Sequence, residues 1–249
     1  SGATNNDGII CAGASATLTA SGGGTYSWNN GSTVASISVS PSATTTYTVT
    51  VTSTGGCTAT AVTTVTVNQL PIPSITVSET SGVTSHDGII CAGASATLTA
   101  SGGGTYLWNT GSTSAAVSVT PSATTTYTVT VTNSNNCTAS STVTITVNPL
   151  PSASVAVTET SGATNNDGII CAGASATLTA SGGGTYLWNT GSTSAAVSVT
   201  PSATTTYTVT VTNSGNCTAT ATRTITVNPL PSASITVSET SGSGINDGI

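Results

Sequence analysis

The chain has 249 residues, 36% of them hydrophobic and 3% charged, with one Arg, no Lys and a formal net charge of −6. Such a chain offers no basic surface to nucleic acid or to an anionic membrane, and its Val, Ile and Thr content separates it from disordered chains, which pair low hydrophobicity with high charge. No apolar run approaches the roughly 20 residues of a membrane-spanning helix, and no signal peptide is visible, so any export signal or anchor is expected outside this segment.

The elements recur with a period of 80 residues, which points to a tandem array. SGATNNDGIICAGASATLTASGGGTY opens at Ser1 and at Ser161, and SGVTSHDGIICAGASATLTASGGGTY opens at Ser81. Residues 81–160 and 161–240 differ at ten positions, and SGSGINDGI restarts the motif at Ser241. There is no Met, so the expectation is a piece of a longer array or a processed product.

Within the first period, Ala14, Ala16, Leu18 and Ala20 alternate with Ser15, Thr17 and Thr19, the period of a half-buried strand. Ser21 to Gly24 form a turn; Tyr26 and Trp28 then share a face of a short strand, and Asn30-Gly31 marks the next turn. Ala35, Ile37 and Val39 share a face before Pro41, and Tyr47, Val49 and Val51 share a face of the following strand. After Gly55-Gly56, a long strand carries Cys57, Ala59, Ala61, Val65 and Val67 on one side. Pro71 and Pro73 break it, and Ile75 and Val77 lead into the next period. No helical period appears. About seven strands per period predict an all-β fold of tandem immunoglobulin-like β-sandwiches. The expected divisions are repeats over 1–73, 74–153 and 154–233, with 234–249 as the first strand and start of a fourth. Trp28, Trp108 and Trp188 are expected between the sheets, as are Tyr47, Tyr127 and Tyr207 with their hydroxyls bonded to backbone. Exposed Trp platforms for sugar stacking are the other reading.

Two Cys fall in each period, 46 residues apart. There is no CxxC, and His86 is the only His, which argues against zinc. The spacing predicts an oxidising compartment and bonds Cys11–Cys57, Cys91–Cys137 and Cys171–Cys217, each stabilising its own domain by roughly 4 kcal/mol in the chain-entropy model. The rival pairing joins Cys57 to Cys91 and Cys137 to Cys171.

The run TYLWNTGSTSAAVSVTPSATTTYTVTVTNSNNCTAS, followed by TVTITVNPLPSAS, resembles the Ig-like and PKD-like repeats of secreted Bacteroidota proteins, among them large cell-surface and gliding adhesins. The resemblance covers the whole chain, carried by W-N-x-G-S-T, T-Y-T-V-T-V-T and N-C-T or G-C-T. It implies a β-sandwich, a cell-surface or secreted location and type IX secretion. The near absence of charge and the near identity of the copies depart from many such repeats, and suit a fibre better than a varied receptor.

Catalysis needs a nucleophile, base or metal placed together. The one His stands where other copies have Asn6 and Asn166, and no Ser or Thr has a recurring base partner, so no enzyme is expected. Without Lys, Lys–Asn isopeptide crosslinks are excluded. All seven carboxylates occupy one phase of the period: Glu79, Glu159 and Glu239, and Asp7, Asp87, Asp167 and Asp247. The pairs Glu79–Asp87, Glu159–Asp167 and Glu239–Asp247, with Asn165, Asn166 or Asn246 nearby, are calcium candidates at the domain junctions. The plainer reading is an Asp-Gly turn and a solvated Glu, with no cofactor. Thr46, Thr48, Thr50 and Thr52 share an outward face, as do Thr58, Thr60, Thr64 and Thr66 on the next strand. That surface is solvated β-branched residues or a place for lateral fibre packing, with ice binding a remote option because sandwich sheets twist.

The sequence thus reads as a structural segment of an extracellular fibre or adhesin stalk, a disulfide-stapled spacer. The alternative is a glycan- or protein-binding adhesive module. The partners expected are other copies of the array, end to end or lateral, and surface glycans; the domains are expected end to end as a stiff rod. If Ser234–Glu239 pairs with the domain that follows it, the first domain has an open edge. The chain is then cut from a continuous array, which the repetition favours, or donates that strand to another copy.

Overall fold

The computed structural model describes residues 7–81, 86–162 and 164–238. It forms two compact units, residues 1–148 and 149–249. Every regular element among the described residues is a strand.

In the first unit, the first repeat contains β1 (Ile9–Cys11), β2 (Ala16–Thr19), β3 (Thr25–Trp28), β4 (Ser36–Val39), β5 (Thr45–Thr52) and β6 (Thr58–Asn68). The second contains β7 (Ser74–Glu79), β8 (Ile89–Cys91), β9 (Ala96–Ser101), β10 (Thr105–Trp108), β11 (Ala116–Val119), β12 (Thr125–Thr132) and β13 (Thr138–Asn148). The second unit repeats the latter set as β14 (Ser154–Glu159), β15 (Ile169–Cys171), β16 (Ala176–Ser181), β17 (Thr185–Trp188), β18 (Ala196–Val199), β19 (Thr205–Thr212) and β20 (Thr218–Asn228).

Each seven-stranded repeat is a tandem β-sandwich module. One sheet runs β10-β12-β13-β8 and the other β11-β9-β7. The copy in the second unit runs β17-β19-β20-β15 and β18-β16-β14. The long antiparallel pair is in register over its whole length, with Thr125 opposite Ile145 and Thr132 opposite Thr138. The strand rich in Ile and Cys is a three-residue parallel strand on the far end of that hairpin, with Ile89 opposite Thr146 and Cys91 opposite Asn148. In sequence these three residues read only as the start of a repeat, because three residues are too few to show an alternation.

The core lies between the two sheets. Leu98 and Val119 from one sheet meet Ile90, Trp108, Val129 and Ile145 from the other. The second unit repeats this set with Leu178, Trp188 and Ile225. Trp28, Trp108 and Trp188 are buried, as are Tyr47, Tyr127 and Tyr207. Each indole N–H has a backbone partner, the carbonyl of Val34, Ser114 or Ser194, at 2.9 Å, so the rings are core residues and not sugar platforms. Burial pushes the phenol pKa of Tyr127 and of Tyr207 upward.

The strand between two repeats belongs to the repeat after it. β7 pairs antiparallel with β9, Val77 opposite Leu98, and β14 pairs with β16, Val157 opposite Leu178. The first repeat has no such strand among its described residues, and its second sheet is only β2 and β4. Its core shows the consequence. Leu18 is half-buried where Leu98 and Leu178 are fully buried.

Candidate functional site at the repeat junction

Within the first unit, the chain leaves β6 at Asn68 and crosses to β7 through Gln69, Leu70, Pro71, Ile72 and Pro73. Pro fixes φ and removes a donor, so this stretch can neither coil into a helix nor extend the preceding ladder. Pro71 is buried. Gly102 gives the stretch its seat: a Cβ there would stand 2.8 Å from the Ile72 carbonyl oxygen and 2.9 Å from the Pro73 Cα. Asn133, at the β12–β13 turn, donates its Nδ2 to the Gln69 carbonyl at 2.9 Å and accepts the Cys137 amide on its Oδ1 at 3.0 Å. One side chain thereby fixes both the linker and a cysteine.

That cysteine carries the main correction to the sequence reading. Cys137 is bonded to Cys11, with Cα atoms 5.6 Å apart across 126 residues. The bonds Cys11–Cys57, Cys91–Cys137 and Cys171–Cys217 do not form, nor do Cys57–Cys91 and Cys137–Cys171. Cys57 and Cys171 are unbonded, and Cys91 and Cys217 are disulfide-bonded. The reason is the parallel pairing of β1. Cys11 lies opposite Asn68, at the last residue of β6, while Cys57 stands just before its first residue, Thr58. Eleven residues of strand separate them, about 35 Å at the usual rise, and a disulfide spans less than about 7 Å between Cα atoms. The two cysteines of a repeat sit at opposite poles. The bond therefore joins consecutive repeats. The signal was present in the length of the last strand, but only the short parallel partner reveals which pole Cys11 occupies.

The carboxylates build the loop that delivers Cys91 to this pole. Glu79 accepts the His86 amide on Oε2 at 2.5 Å and the Gly88 amide on Oε1 at 2.6 Å. Thr80 Oγ1 donates to the Ser95 carbonyl at 3.0 Å and accepts the Ser95 amide at 3.1 Å. Ser81 Oγ accepts the Cys91 amide at 3.0 Å. Glu-Thr-Ser thus ties three successive points of the loop. The second unit repeats the arrangement, Glu159 accepting the Asn166 amide at 2.5 Å and the Gly168 amide, and Ser161 the Cys171 amide at 3.1 Å. Asp7, Asp87 and Asp167 each accept the amide two residues on, the Asx turn expected of Asp-Gly. Asp167 also accepts the Thr164 hydroxyl, and these two hydrogen bonds, the hydroxyl's first, hold its carboxyl below the ordinary carboxylate value. Arg223, the one cation, donates to the Asn166 carbonyl at 3.2 Å over the same loop.

Glu79 and Glu159 each accept backbone amide N–H groups on both carboxylate oxygens. Among the described residues no three His, Cys, Asp or Glu side chains come together as a metal-binding group. Glu239 and Asp247 lie outside the described residues. On the outer face, Thr46 and Thr64 hydroxyls meet at 3.1 Å, Thr126 and Thr144 at 2.9 Å, and Thr206 and Thr224 at 2.8 Å. Thr50 faces Thr60 and Thr52 faces Thr58, but Thr48 faces Val62, which interrupts the row.

No protein-family model matches the sequence, and no curated protein matches it. Solved structures do resemble it. A 1.5-MDa bacterial ice-binding adhesin shares 20% identity over 90% of this chain and 95% of the other, with a TM-score of 0.34. A Ca2+-stabilized adhesin with which an Antarctic bacterium binds ice shares 20% identity over 92% and 73%, with a TM-score of 0.35. The immunoglobulin domains 1–5 of Sidekick-1 share 14% over 89% and 57%, with a TM-score of 0.24. These neighbours are bacterial adhesins and immunoglobulin-domain proteins.

Proposed function

We propose that this chain is a structural segment of an extracellular surface fibre or adhesin stalk, and that its repeats are spacers riveted to their neighbours through disulfides. The observation that carries the reading is the Cys11–Cys137 bond. A disulfide inside one domain serves that domain's stability. A disulfide from one repeat to the next serves the connection between them. With the main chain and the bond both crossing the junction, the second repeat cannot swivel about a single tether. Bonds of this kind persist in oxidising surroundings, which supports a cell-surface or secreted location. The resemblance to Bacteroidota surface repeats supports the same location and export by type IX secretion. On this reading the chain is not an enzyme, and Glu79 and Glu159 are loop pins rather than calcium ligands.

Pulling a single chain by its ends tests the reading. The bond closes 126 residues into a loop, roughly 420–450 Å of extended chain at 3.3–3.6 Å per residue. At least that length stays hidden in the oxidised protein and is released after reduction, which also opens the bonds of Cys91 and Cys217. Equal extension before and after reduction removes the mechanical role. Selective binding of one oligosaccharide on a glycan array would support the adhesive-module alternative instead.

A further inference from the structure

The second and third repeats differ almost only around one cleft, and we propose that in the second repeat this cleft, between β7 and β13, is a binding site for an arginine side chain of a partner protein. The guanidinium enters where Arg223 lies in the third repeat. The site is separate from the disulfide joint and goes beyond the spacer reading.

Residues 74–153 and 154–233 differ at ten positions. None falls between Asp87 and Ser134, which repeat letter for letter as Asp167 to Ser214. Positions 75, 76 and 78 lie on β7, 83, 85 and 86 between β7 and β8, and 140, 141 and 143 on β13; only 135 lies elsewhere, in the β12–β13 turn. β7 is the edge of its sheet, and β8 pairs with β13 only from Thr146 onward. Between β7 and the uncovered part of β13 opens a cleft of about 360 Å³, walled by Ile75, Thr76, Val77, His86, Val143 and Thr144. That is within the range of small-ligand pockets, roughly 300–1,000 Å³. Four of these walls are among the differing positions: Ile75, Thr76, His86 and Val143 become Val155, Ala156, Asn166 and Arg223.

The third repeat shows what such a cleft accepts. Arg223 stands at the Val143 position, and its Nε is buried. Its Nη2 donates to the Asn166 carbonyl at 3.2 Å, and a Cβ on Gly168 would stand 3.3 Å from both Nε and Nη2. The guanidinium therefore lies inside, against the loop that Glu159 and Asp167 organise. In the second repeat Glu79 and Asp87 organise the same loop, but a Cβ on Gly88 would meet only the Thr144 carbonyl, at 3.1 Å. Val143 has no polar end to put there. The chain has one Arg and no Lys, so the permanent cation for this place comes from another molecule. A guanidinium suits it better than an ammonium, because it is flat, weakly hydrated and donates edge-on to a carbonyl. Its methylene stem has Ile75, Val77 and Val143 to pack on.

The probe is Nα-acetyl-arginine methylamide, titrated into the whole isotope-labelled chain and followed by NMR, with the citrulline analogue as its uncharged isostere. The expected result is a saturable shift of the His86, Gly88 and Val143 amides, with the citrulline probe binding at least about tenfold more weakly for want of a charge-assisted donor. Val143→Arg places the chain's own guanidinium in the cleft and abolishes the response. Arg223→Val opens a second site, read at the Asn166 and Gly168 amides, and does not depend on the first variant folding. The proposal is overturned by the absence of any shift at those amides, by equal binding of the two probes, by a response that survives Val143→Arg, or by Arg223→Val bringing no new one. Neither readout involves the Cys11–Cys137 bond, so this site and the spacer reading fail separately.

Discussion

Glu79 and Asp87 show how a few charges are used in a chain that has almost none. Each carboxylate is held against backbone amides a short way along the chain, so its charge is matched by donors of its own loop. Asp167 allows this to be measured. Its carboxyl is held low chiefly by the Thr164 hydroxyl and then by the Ile169 amide. A depressed folded pKa means that the ionised form stabilises the fold. The contribution is complete above the unfolded value, near 3.9, and is lost as pH falls through the lower folded value. A carboxyl-carbon NMR titration should therefore place the Asp167 midpoint below the usual value, and Thr164→Ala should move it back up. An unmoved midpoint would show that the hydroxyl does not hold the proton off.

Between elements, the junction depends on close approach at Gly102. Gly22 and Gly102 both have φ near +130°, at 132° and 126°, so an alanine at either incurs similar backbone strain. Only at Gly102 does the added methyl meet the linker backbone. Gly102→Ala should destabilise its repeat by at least about 1 kcal/mol more than Gly22→Ala does, as read from denaturant unfolding. Equal losses would mean that the linker is not seated there. Most of this architecture was legible in the sequence. The alternation in Tyr47, Val49 and Val51 and the Pro pair at 71 and 73 locate strands and their ends without ambiguity. The cysteine pairing was not legible, because equal spacing within a period says nothing about which pole of a sandwich each residue occupies. That depended on Ile9–Cys11 lying parallel to the end of β6, a long-range pairing with no local signal. The carboxylates and the Asp-Gly turns were legible in sequence, but the amide partners of Glu79 and Glu159 were not, since amide donors leave no periodic trace.

Across a whole repeat pair, the ring closed by Cys11 and Cys137 contains the linker, β7 and most of both sandwiches. A protease that cuts the main chain once inside that ring does not part the two repeats. A cut at Leu70, which is 41% exposed, should leave one band on a non-reducing gel and two after reduction; two bands without reductant would mean that the ring is not closed. A repeat pair built this way tolerates a single nick at its joint, which in a linear array of domains is the most accessible point. The pair parts only where a cut and a reduction coincide, so its lifetime is set by two independent kinds of damage rather than one.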